Sequence, residues 1–148
     1  MRFVILLSLL SCASAHAQEI SFRILGVREE ILFERSVVLE KETLGRVTNK
    51  ILEQAVIARQ LNEYKGTDSG VLGINGLGSA LELLSDTQMN AYGWCYRIDG
   101  KVLDLLADQY MLTGQETRIE WFYAYAYFEK DQWKTMCIPA DHKPEQEI

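Results

Sequence analysis

Histidine and cysteine are scarce in this chain of 148 residues, which holds two of the first and three of the second. His16 and Cys12 fall in the N-terminal stretch, so His142, Cys95 and Cys137 remain for the body of the protein. A Ser-His-Asp or Cys-His arrangement therefore has one imidazole to draw on, and it lies in the C-terminal tail. Cys137 and His142 alone do not make a zinc site, which takes about four ligands. Asp104 with Asp108, and Glu116 with Glu120, are the carboxylate pairs available for acid-base work, and they read more simply as solvated charge. No glycine-rich stretch has phosphate-cradling spacing. Basic residues number 15 against 21 acidic, a formal charge of −6, with no basic run. That balance argues against nucleic acid, whose phosphates need clustered Lys and Arg, and against anionic lipid surfaces. There are no repeats, no low-complexity tract and no internal linker.

The N-terminus reads as a leader. Arg2 supplies a minimal positive region, residues 3–10 are apolar, and Ala15-His16-Ala17 is a cleavage site of A-x-A type. The apolar run is shorter than the roughly 20 residues that cross a bilayer, and nothing later in the chain is longer. Cleavage after Ala17 is the favoured expectation. Leu9-Leu10-Ser11-Cys12 as a degenerate lipobox, with Cys12 lipidated, is the competing one. Either way the destination is the periplasm or the exterior. Residues 18–138 then form one domain and 139–148 a frayed tail. Loss of Arg2 would leave 14 basic side chains and a charge of −7. Cys95 and Cys137, in an oxidising compartment, most simply form one disulfide contributing roughly 3–4 kcal/mol; two buried free thiols are the alternative.

Apolar alternation predicts strands over 20–25 and 31–39, joined tightly enough for a hairpin. Thr43 is placed as a helix N-cap. Leu44, Val47, Ile51, Ala55, Ala58 and Leu61 recur at helical spacing, which carries the helix to the neighbourhood of Tyr64. A short strand at 71–74 closes on Asn75-Gly76. Residues 79–84 fit a helical turn or an irregular edge strand. A strand at 93–98 ends in Asp99-Gly100, a turn needing positive φ, and 101–103 pair back. A long aromatic strand covers 119–128, and a turn leads into 133–138. Hairpin, helix, then several strands is an α+β order of the β-grasp kind, one helix packed on a mixed, mostly antiparallel sheet.

The aromatic strand has two faces. Ile119, Trp121, Tyr123, Tyr125 and Tyr127 share one; Glu120, Phe122, Ala124, Ala126 and Phe128 share the other. The small alanines make room for the helix, which leaves the tyrosine face partly open as a wet binding surface. The competing reading is that this face is core or lies under the last hairpin. Trp94 and Tyr96 share a face of their own strand, as a ligand platform or, for Trp94, a core anchor. Asn75 is a turn residue within reach of a ligand.

Gly70-Val71-Leu72-Gly73-Ile74-Asn75-Gly76-Leu77, Gly93-Trp94-Cys95-Tyr96-Arg97-Ile98-Asp99-Gly100, and Ala107 to Leu112 with Thr117 to Phe122 resemble, in order, three pieces of the transcobalamin-like C-terminal domain family. The resemblance covers residues 20–128 and departs after Phe128, where the hairpin through Trp133 to Cys137 is additional. It implies a β-grasp-like fold. It also implies a non-enzymatic binding domain for a corrinoid such as cobalamin, or another flat small molecule. Asn75, Trp94, Tyr96, Trp121, Tyr123 and Tyr125 are the expected contacts. The large helical domain that completes a cobalamin cage in the eukaryotic carriers is missing. An extracytoplasmic protein-interaction module using the tyrosine face or a strand edge is the alternative expectation.

Overall fold

Strict alternation gives the first strand one fully buried face. The computed structural model describes residues 18–145. The leader and the question of Cys12 lie outside them. β1 (Glu19–Leu25) buries Ile20, Phe22 and Ile24 on one face. A short 3-10 turn carries the chain into β2 (Ile31–Val38), its antiparallel neighbour.

α1 (Leu44–Ile57) buries Leu44, Val47, Ile51, Leu52 and Ala55, the stripe its spacing requires. Thr43 has the extended backbone of an N-cap, but its side chain caps nothing. The orphan amides of the first turn go elsewhere: Leu44 N donates to Tyr110 O at 2.9 Å and Gly45 N to Ala107 O at 3.0 Å. The helix ends seven residues before Tyr64, a correction to the longer span. Arg59 takes the left-handed conformation (φ 57°). Its amide reaches Val56 O and that of Gln60 reaches Ala55 O, a Schellman closure with arginine where glycine is usual. Leu61 still joins the core, but from the turn beyond the helix.

A small antiparallel sheet follows, β3 (Tyr64–Thr67), β4 (Gly70–Ile74) and β5 (Leu77–Gly78). The ambiguous segment after it is a strand, β6 (Ala80–Ser85). β7 (Gln88–Ile98) starts five residues before Gly93. Asp99-Gly100 makes the expected turn, both at positive φ, into β8 (Lys101–Val102). β9 (Arg118–Glu129) and β10 (Gln132–Pro139) complete the chain of strands.

The main sheet runs β2-β1-β9-β7-β6, with β8 on β7 and β10 on the distal half of β9. β1 and β9 are parallel and the other pairings antiparallel. This is a mixed α+β fold, one helix on a mostly antiparallel sheet. The helix lies on the Ile119–Trp121 face, not against Ala124 and Ala126: the Trp121 indole donates to Thr48 Oγ1 on α1 at 2.9 Å. Apolar bulk, which the helix must bury, outweighed the room that two alanines offer.

Phe122 and Ala124 instead pack with Leu25 on the opposite face, under Cys95 and Cys137. Those cysteines form a disulfide, S–S 2.05 Å. The bridge is compatible with an oxidising, extracytoplasmic setting, and no helix among the described residues is long and apolar enough to cross a membrane. The segment read as a frayed tail is packed as far as Pro144. Ala140 is buried and exchanges backbone hydrogen bonds with Tyr123 O and Arg28 N.

Candidate functional site

The pairing of β7 with β9 stacks aromatic residues into a ladder. Tyr96 lies opposite Trp121, Trp94 opposite Tyr123, Tyr92 opposite Tyr125, and Asn90 opposite Tyr127. All point to the helix side of the sheet, because directly opposed residues share a face. A different element covers each rung.

The first rung is interior. Trp121 and Tyr96 sit with ring centroids 5.2 Å apart, both buried. The Tyr96 hydroxyl donates to Leu105 O at 2.8 Å, and burial pushes that phenol up. The second rung lies under β5. Trp94 Nε1 donates to Leu77 O at 2.9 Å and the Tyr123 hydroxyl to Gly78 O at 2.8 Å. Tyr123 is buried and Trp94 half-buried. The expectation of an open tyrosine face is thus corrected for Trp121 and Tyr123, and that of a ligand platform meets a buried Tyr96; the polar tips of all three are bonded inside the protein. Asn75 stands apart from the ladder. Its side-chain oxygen accepts from the amides of Asn62 and Glu63, tying the β4–β5 turn to the chain that enters β3.

The third rung opens toward solvent. Tyr92 is buried beside half-buried Tyr125, centroids 5.7 Å apart. The Tyr92 hydroxyl donates to Glu82 Oε2 at 2.8 Å, and Asn90 Nδ2 donates to the same oxygen at 3.0 Å. His142 closes the group. Its Nε2 lies 3.1 Å from Glu82 Oε1 and 3.1 Å from the Tyr92 hydroxyl, and its Nδ1 lies 2.6 Å from Asp141 Oδ1. A hollow of about 480 Å³ adjoins it, lined by Glu82, Leu83, His142, Lys143 and Glu145. Tyr127 and Asn90, half-buried, form the last rung.

Hydrogen bonds to Asp141 and then Glu82 raise the His142 pKa above its ordinary value. Glu82 is held below its ordinary range by Asn90 first and Tyr92 second. Burial, then the bond to Glu82, pushes the Tyr92 phenol up. These shifts favour an imidazolium-carboxylate pair beside a neutral phenol. The polar partners of His142 are Asp141, Glu82 and Tyr92; no serine hydroxyl or free thiol is among them. No group of three or more His, Cys, Asp or Glu among the described residues is arranged to hold a metal.

No family model, no curated protein and no solved structure matches this chain.

Of the suggested carboxylate pairs, Asp104 and Asp108 are exposed, whereas Glu116 and Glu120 are buried and bonded. Glu116 accepts from the Thr113 and Gly114 amides and the Thr113 hydroxyl. Burial works to raise its pKa, but those bonds prevail and hold it below the ordinary range. Glu120, also buried, lies among Arg97, Arg118 and Arg23. Asp108 accepts from Ser69 Oγ at 2.8 Å.

Tyr92, Asn90, Glu82 and His142 were missed by sequence reasoning. Starting the strand at Gly93 cut off Asn90 and Tyr92, although both extend the alternation of Trp94 and Tyr96. Glu82 faces Asn90 across β6 and β7. Nothing in the charged stretch after Pro139 marks His142 as docked.

The reverse face of the distal sheet is apolar. Ala91, Gly93, Ala124 and Ala126 floor a shallow groove beside Met136 and the disulfide. A side chain at Gly93 would meet nothing within 4 Å. Leu83, Met136 and Trp133 are 71%, 64% and 49% exposed.

Proposed function

We propose that this chain is a non-enzymatic extracytoplasmic binding domain of β-grasp type. Its ligand is a corrinoid or another flat small molecule, received at the outer rungs of the aromatic ladder. The strand order β2-β1-β9-β7-β6, with β1 parallel to β9 and a lone helix between the first hairpin and the later strands, supports the β-grasp assignment. One observation carries the binding reading. Tyr125 and Tyr127 remain half-buried on the rungs of Tyr92 and Asn90, and Glu82 and His142, bonded to Tyr92, line a hollow of about 480 Å³. Ligand sites occupy about 300–1,000 Å³ and combine apolar walls with a few fixed polar groups. Tyrosine gives a ring for stacking and a polar tip for a wet rim. The inner rungs serve as the rigid support behind those two rings.

Titration with cobalamin and with cobinamide, followed by tryptophan fluorescence and corrin absorbance, tests this. Saturable quenching is expected, weakened about tenfold by Tyr125→Ala or Tyr127→Ala, equal to about 1.4 kcal/mol, with the domain still folded and only a small loss of thermal stability. A flat response to both corrinoids rejects them as ligands.

The exposed Leu83, Met136 and Trp133 favour a second reading, a protein-interaction module using the reverse face. Exposed apolar surface beyond scattered single residues marks partner sites. Met136→Glu would then abolish partner binding and leave any corrinoid response intact.

A further inference from the structure

The segment after β10 crosses the third rung and is fastened there in two ways. Ala140 is held by backbone: its amide donates to Tyr123 O at 3.0 Å and its carbonyl accepts from Arg28 N at 2.7 Å. Beyond Ala140 side chains add further fastenings, and Pro144 is buried. Arg28 Nε donates to Asp141 O at 2.9 Å. His142 bridges Asp141 on its own segment and Glu82 on β6, and its ring meets the Tyr92 ring on β7 edge-on, with centroids 5.7 Å apart. The charged and titratable groups around it are Glu82 from β6, Tyr92 from β7, Tyr125 from β9 behind Tyr92, Arg28 from the turn before β2, and Asp141, Lys143 and Glu145 on the segment itself.

Hydrogen-bond inventory favours one state of the ring. Each imidazole nitrogen faces a carboxylate oxygen, and the Tyr92 hydroxyl already donates to Glu82. Only the imidazolium has a proton on both nitrogens. A neutral ring turns a lone pair onto one carboxylate, or draws the Tyr92 proton away from Glu82. The contact is therefore good in one protonation state and poor in the other.

We propose that residues 141–145 are a strap latched by His142 over the third rung, closed while the imidazole carries both protons and released when it gives one up. Release hinges after Ala140, where the backbone bonds end. It uncovers Tyr92 and Tyr125, the rung on which the proposed binding site rests, so pH gates that site.

The direction follows from linkage. His142 binds its proton more tightly in the closed strap than in the open one. Its contribution is complete below about pH 6.5, the ordinary imidazole value, and is lost as pH rises through the raised value. Glu82 and Asp141 are shifted down, by Asn90 and by His142 respectively as the leading causes. Their contribution is present above the ordinary carboxylate range, about pH 4, and is lost as pH falls through the lowered values. Closure is strongest between those limits.

Histidine NMR on the full chain reads this directly, since the chain carries two histidines and a His16→Asn variant assigns them. A cross-ring Overhauser contact between His142 and Tyr92 is expected at about pH 5.5, several-fold weaker by about pH 9, and lost in step with the His142 titration. Glu82→Gln lowers the midpoint and moves the loss of contact to lower pH, while β1 and β9 amide signals stay in place as proof of folding. A contact that persists unchanged to about pH 9, or a midpoint that Glu82→Gln and Asp141→Asn both leave unmoved, overturns the strap. Corrinoid titrations at both pH values are a separate readout. A strap that opens with no corrinoid response at either pH tells against the ligand and leaves the strap standing.

Discussion

Thr48 is a polar residue on the buried stripe of α1, and its hydroxyl receives the indole proton of Trp121. Thr48→Val keeps the shape and removes the acceptor. A buried donor left unpaired costs about 1–3 kcal/mol, so the urea midpoint should fall with its slope unchanged. The ladder makes neighbouring tyrosines unequal. Tyr123→Ala should cost about 3–5 kcal/mol, as for other large core truncations, whereas Tyr125, half-buried, should cost far less; chemical melts of the two variants decide this. Glu116 predicts acid sensitivity. Its carboxyl is held below the ordinary range, so it contributes stability above that range that is lost as pH falls through the lowered value. Glu116→Gln should flatten the acid limb of a stability-against-pH curve.

At the scale of elements, the first two strands and the helix core were legible because each has one dry face, and a one-residue slip would expose a strand's; β3, with alternating half-exposed residues and two of four positions polar, was not. The hairpin, the Asp99-Gly100 turn and the long aromatic strand follow from local chemistry. Two other features do not. The helix end was hidden because Arg59 does the work expected of glycine, and Leu61 keeps the apolar spacing after the helix has stopped. The side of β9 that takes the helix was hidden because both faces are apolar. Only the partners decide it, Thr48 and Leu52 on one side, Leu25 and the disulfide on the other. Docking of α1 also depends on Gly45, where an added Cβ would lie 1.6 Å from Asp68 O on the turn between β3 and β4. Gly45→Ala gains helix propensity yet should destabilise by about 1–3 kcal/mol through overpacking, visible as a lowered melting temperature. Paired replacement of Cys95 and Cys137 by serine frees a loop with a sequence separation of 42. The loss should be roughly 4 kcal/mol by chain entropy, read from denaturant curves with and without reductant.

The candidate site belongs to the whole molecule. β6, β7, β9 and the stretch after β10 each supply a part, which is why no local pattern announced it. Trp94, Tyr123 and Tyr125 were picked out from alternation alone, but what covers each ring depends on chain far away in sequence. The same remoteness governs assembly. The strand that lies beside β1 in parallel is β9, which begins at Arg118. A chain emerging from its N-terminus can close the first hairpin and wind α1 early, yet one flank of β1 has no companion until four-fifths of the polypeptide exists. A nascent or threaded chain stopped short of that point has no middle to its sheet, so folding waits for the last fifth to arrive.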